Sequence, residues 1–214
     1  MAWTLTTLKQ AIQDYLETTE STFVDELDNI IVNAEQGIVS AVQHPAFRQY
    51  ANLATVASNS TVDVSSEAPL SIYSLTLTTA SQGESVLLPK QYDFIREAFS
   101  GGSTEGSPRF YAWEDENTLL LGPTPDAIYT IRMSYWGAPE SITTASTSWL
   151  GTNQPDLLLY ACLVEAYRFL KGSADLMEAY EKKYQEELVK LKLQGEGYDT
   201  RDDARNGQHR IPRQ

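Results

Sequence analysis

The chain has 214 residues, a formal net charge of −13, two histidines and a single cysteine. That length makes one large domain, or a domain with a sizeable insertion, and a chain of this size buries about 70% of its unfolded surface without a disulfide or metal staple. The acidic balance argues against wrapping nucleic acid or binding anionic lipid, since both depend on Lys and Arg, and suits a surface that DNA passes without adhering.

The first residues lack the basic and apolar regions of a signal peptide. No apolar run approaches the roughly 20 residues of a spanning helix, so no membrane partner is expected. Thr7 and Gln10 have capping-box spacing, and Leu5, Leu8, Ile12 and Leu16 follow at helical intervals. A second helix is expected from Ser21 or Thr22. Its apolar stripe is Phe23, Leu27, Ile30, Ile31, Ala34, Ile38, Ala41 and Val42, and Pro45 stops it near His44.

From Phe47 to Ser148 the chain turns to Ser, Thr, Gly and Pro with short β-prone runs. Tyr73, Leu75 and Leu77 alternate with Ser74, Thr76 and Thr78, a strand period. Ser100–Ser107 reads as a surface loop. Arg109–Trp113 and Thr118–Leu121 read as strands joined by an acidic turn, Glu114 to Asn117. After the breaker Gly122-Pro123-Thr124-Pro125-Asp126, a strand points Tyr129, Ile131, Met133 and Tyr135 one way and Thr130, Arg132 and Ser134 the other.

Helix returns at Thr152 or Asn153, with Pro155 in the first turn, where its missing donor costs nothing. Asp156–Leu170 is apolar almost all round, which marks a helix buried in a core or between protomers; Leu157, Leu159, Tyr160, Leu163 and Tyr167 are its candidate contacts. A last helix carries Met177, Tyr180, Tyr184, Leu188 and Leu191 on one face. Its expected ion pairs are Glu178 with Lys182 and Glu186 with Lys190, and Gly195 and Gly197 are expected to end it. The remainder is polar, neutral as a whole and purely basic from Arg205 onward.

The expected fold is α+β: a four-helix bundle of N- and C-terminal helix pairs (1–46 and 148–194), a β-rich antiparallel insertion (47–147), and an extended C-terminal arm (195–214). Such an arm can order on a neighbour, with Ile211 as an apolar contact and arginines as charge partners.

No catalytic residue, cofactor or metal site is expected. A nucleophilic dyad or triad needs a base, usually histidine, and His44 and His209 lie at a helix end and in the arm. One Cys, Cys162, and two His make no zinc ligand set. Gly101 to Ser107 lacks the Lys-Ser/Thr of a phosphate loop. Two carboxylates suffice for a glycosidase, and Glu114, Asp115 and Glu116 share a turn, while Asp25, Asp28 and Glu35 share a helix face. Acids are abundant here, so solvated surface is the better reading of both clusters.

Leu119 to Pro125, Tyr129 to Tyr135 and Trp149 to Ala166, with Leu88-Pro89 before Tyr92 to Arg96, form a pattern that resembles the head–tail adaptor (connector) proteins of short-tailed bacteriophages, the tail-tubular-protein-A-like group. The resemblance implies a non-enzymatic virion protein at the head–tail junction, assembled in the host cytoplasm. It further implies a dodecameric ring that binds the portal, continues the DNA channel used in ejection without specific DNA binding, and carries the tail nozzle or fibres. It puts the arm on the portal, with Arg201, Arg205, Arg210, Ile211 and Arg213 as contacts. Two alternatives stay open: a carbohydrate-active tail component using a surface carboxylate such as Glu114, and an assembly or completion factor absent from the particle.

Overall fold

The computed structural model describes residues 2–79, 83–99 and 104–206, with side chains as far as residue 195. In chain order the elements are α1 Leu5–Leu16, α2 Ser21–Ala41, a 3-10 turn Pro45–Phe47, β1 Arg48–Ala54, β2 Thr61–Asp63, β3 Ser71–Thr79, β4 Gly83–Pro89, α3 Tyr92–Ala98, β5 Phe110–Trp113, β6 Thr118–Gly122, β7 Thr130–Trp136, α4 Ile142–Ala145, α5 Trp149–Asn153, α6 Pro155–Leu170 and α7 Ala174–Asn206. They fall into two compact units, Met1–Phe47 with Ala138–Gln214, and Arg48–Gly137.

In the first unit α6 is the hub. Leu157, Leu158, Leu159, Ala161, Cys162, Leu163, Val164 and Ala166 are buried, and α6 packs on α1, α2, α5 and α7. A helix apolar on most sides has no face to give to water, so it takes partners all round. Full burial of each leucine contributes about 1.5–3 kcal/mol. Pro155 occupies the first turn of α6. The capping box of α1 is Thr4 with Thr7, one turn earlier than Thr7 with Gln10. The ion pairs of α7 are Lys183–Glu186 at 2.9 Å and Lys190–Glu187 at 2.5 Å, an i,i+3 set in place of the expected i,i+4 set.

The second unit holds a seven-stranded sheet of order β1-β7-β3-β4-β5-β6-β2. Two ladders meet on β4: residues Gly83 to Leu87 pair antiparallel with β3, and Leu88 and Pro89 pair parallel with β5. The core collects Val62, Leu75, Leu77, Leu87, Tyr111, Leu119, Leu121, Ile131, Met133 and Tyr135 from six of the strands. α3 covers the other face of β5 and β6 through Ile95 against Ala112 and Leu120. A shift in the β3–β7 register between Ile72 and Ser74 leaves Tyr73 exposed, where the Arg48 guanidinium lies 4.6 Å from its ring centroid.

The expected architecture is corrected on three points. The described residues form seven α-helices, and the packing radiates from α6 rather than making a four-helix bundle. The 47–147 region is a seven-stranded sheet with a parallel pair, β4 with β5, and its own helix α3, not a purely antiparallel insertion. The start of the expected arm is also corrected, because α7 runs through Gly195 and Gly197 to Asn206, while residues 207–214 lie outside the described residues. A Cβ at Gly195 would stand 3.1 Å from the Gln43 carbonyl oxygen. Close packing, rather than chain termination, thus accounts for this glycine, and tertiary contact outweighs its poor helix propensity of about 1 kcal/mol.

Candidate functional site

The candidate catalytic groups disperse. Glu35 is buried in the middle of α2, and its carboxylate accepts hydrogen bonds from Ser141 Oγ at 2.5 Å and from the Ile142 N–H at 3.2 Å. It is a structural acceptor that holds the start of α4. Asp28 is exposed and pairs with Lys9 at 2.8 Å, and Asp25 is exposed, so the three acids do not form one cluster. Glu114 pairs with Arg96 at 3.2 Å, and Asp115 accepts from the Asn117 N–H within its own turn.

His44 is buried beside the Trp149 and Phe47 rings, at 5.1 and 5.9 Å between centroids, and its Nδ1 accepts from the Ala46 N–H. Burial holds its pKa below the ordinary imidazole value. The Cys162 thiol is buried and its pKa is pushed up by desolvation. Among the described residues no three His, Cys, Asp or Glu side chains gather as a metal ligand set. No described helix is long and apolar enough to cross a membrane.

Of the helix candidates, Leu157, Leu159 and Leu163 are buried within the first unit, while Tyr160 and Tyr167 are half-buried. Tyr167 packs edge-on against Tyr180 at 5.5 Å. Arg201 and Arg205 lie on the backbone of α7. Arg210, Ile211, Arg213 and His209 lie outside the described residues, as do Ser100 to Ser103 of the expected loop.

The concave sites are small or open. A cleft of about 200 Å³ between α2, α6 and α7 has a floor of Ala34, Gly37 and Ala161 and a rim of Glu165, Arg168 and Glu181. The rim charges pair with one another: Arg168 donates to Glu165 at 2.6 Å and lies 4.0 Å from Glu181. In the second unit a cleft of about 630 Å³ separates the end of β1, Leu53 and Ala54, from β2 and Thr118.

The outer face of the sheet is the more informative surface. Val86 is 61% exposed, Leu88 53% and Tyr50 58%, and Phe94 on α3 is also exposed. Phe94 packs edge-on against Phe110 at 5.8 Å, and the Lys90 ammonium lies 5.5 Å from the Phe94 ring centroid. Exposed apolar side chains gathered on one unit mark an interaction surface rather than a reaction centre. Sequence reading missed it because it left β1, β4 and α3 unassigned; the apolar run Val86 to Pro89 was the available signal.

A family model described as SU10 adaptor protein matches residues 3–212. The search of curated proteins gives no match.

Proposed function

The chain belongs to the SU10 adaptor protein family, and on that premise we propose that it is a structural protein of a bacteriophage virion, the adaptor between the head and the tail. The observation that carries this reading is a family match spanning residues 3–212, which takes in both compact units. The exposed apolar face of the second unit supports it, since an assembly subunit needs surface to offer to neighbours.

In this reading copies form a ring that binds the portal on one side and the nozzle or fibre proteins on the other, and the ring continues the DNA channel. A body carrying the net charge of −13 suits a wall that DNA slides past, because attraction to phosphate would retard ejection. The basic end of the chain, from Arg205, is the segment assigned to the portal.

Mass spectrometry of purified virions, followed by imaging of the neck with the protein located, tests the proposal. The expected result is a stoichiometric virion component at the head–tail junction. Absence from the mature particle would instead make it a completion factor, and a basic lumen in the assembled ring would overturn the channel reading.

A further inference from the structure

We infer that the outer face of β1, β7 and β3 receives the acidic corner between α1 and α2 of a second copy of this chain; this rests on the ring reading above. Arg48, Tyr50, Tyr73 and Arg132 are exposed on that face. Trp136 lies half-buried on it between Arg48 and Ser71, its partners on the two neighbouring strands. Register puts these side chains together. Residues two apart on a strand point the same way, and directly paired residues share a face. Asn52 pairs with Arg132, Tyr50 with Ser134 and Arg48 with Trp136. The opposite face carries Ile131, Met133 and Tyr135 into the core of the unit.

The positive charges on this face are positioned but not neutralised. The Arg48 guanidinium lies 4.6 Å from the Tyr73 ring centroid, and the Arg132 guanidinium 5.2 Å from that of Tyr50. Such a contact at an exposed site contributes about 0.5–1 kcal/mol and holds a long side chain over its ring. Among the described residues neither arginine makes an ion pair. β1, β3 and β7 contain no Asp or Glu. A chain of net charge −13 thus presents three adjacent strands with two positive charges and no negative one. Arg, Tyr and Trp are also the residue types in which interface energy concentrates, since each covers a large area with few torsions to freeze.

The complement lies in the helical unit. No Lys or Arg occurs between Lys9 and Arg48, and Asp14, Glu17, Glu20 and Asp25 gather where α1 turns into α2. All four are exposed, and among the described residues none makes an ion pair; Lys9 pairs with Asp28 instead. Glu20 precedes α2 without a side-chain capping bond, so its carboxylate is not spent on the helix end. Tyr15, exposed beside Asp14, adds an aromatic surface to the corner. Phosphate is the other anion such a face could take. Duplex binding draws on about 6–10 phosphate contacts, which two arginines do not supply, whereas a protein contact needs only a small desolvated centre. The two patches differ, so the contact is heterologous, the kind that closes into a cyclic ring.

Charge exchange in full-length chains, read by imaging the neck of assembled particles, tests this. Arg48→Glu/Arg132→Glu should melt as the unaltered chain does by circular dichroism, yet abolish the ring. Glu17→Arg/Glu20→Arg should do the same, and the variant carrying all four substitutions should form rings again. Rings from either double variant alone would overturn the inference while leaving the ring standing, whether or not DNA retention changes. Failure of the combined variant to restore rings would also overturn it and give the arginine face to another partner. Absence of a ring from the unaltered chain would overturn both readings. A second arm uses a bis-maleimide, because the one native thiol, Cys162, is buried. Rings co-assembled from Tyr50→Cys chains and Glu17→Cys chains should give a cross-linked dimer, and either variant alone should stay monomeric. Intact mixed rings without that dimer, or dimers from one variant alone, would overturn the inference.

Discussion

Glu35 is one acidic residue among 29 in the sequence, and nothing in its neighbourhood along the chain separates it from the solvated ones. Its role is set by Ser141 and Ile142, more than a hundred residues away. Glu35→Ala should cost about 1–3 kcal/mol, read as a lower denaturant midpoint, because it strands a buried N–H; Glu35→Gln should recover part of that loss, since an amide oxygen still accepts. Gly37 is the reverse case: a Cβ there meets nothing within 4 Å. Gly37→Ala should raise stability by about 1 kcal/mol through helix propensity alone. For His44 the sign follows from burial. Its folded pKa lies below the ordinary 6.5, so below that pH the unfolded chain binds a proton that the folded chain refuses. Stability is therefore full above pH 6.5 and falls as pH drops through it, until the folded imidazole also protonates. His44→Gln should flatten that slope in a pH series of unfolding curves.

At the level of elements, legibility followed periodicity. β7 stands out because Ile131, Met133 and Tyr135 are buried while Thr130 and Arg132 are exposed. α6 stands out because its apolar run is long. β1 gives no such signal: its inner positions, Gln49, Ala51 and Leu53, are only half-buried, so their composition is weakly apolar. α3 has seven residues and one buried position, Ile95, too few to show a helical stripe. The packing of α3 on β6 depends on Gly122, where a Cβ would come within 2.7 Å of Phe99 Cδ2 and 2.9 Å of Ile95 Cγ2. Gly122→Ala should destabilise the second unit by about 1–3 kcal/mol through overpacking, visible as earlier unfolding of its tryptophan signal, to which Trp113 and Trp136 contribute.

Across the whole molecule, deleting residues 196–214 should leave a folded chain. Leu188 and Leu191, the buried leucines of α7, are retained, as is the contact of Gly195 with Gln43. The circular dichroism per residue and the melting curve should change little, while co-sedimentation with portal should be lost if the basic end carries that contact; undiminished binding would exclude the end as the portal contact. The sequence by itself determined what composition and local period encode: an acidic body with a basic end, an all-apolar helix, a strongly alternating strand, and the head–tail adaptor resemblance. Tertiary structure alone decided the seven-stranded order, the continuation of α7 past its glycines and the burial of Glu35. The physical reason is the same in each case. A period of two or 3.6 residues is written into neighbouring side chains, whereas which strand lies beside which, and which side chain is buried against which, depends on residues far apart in the chain.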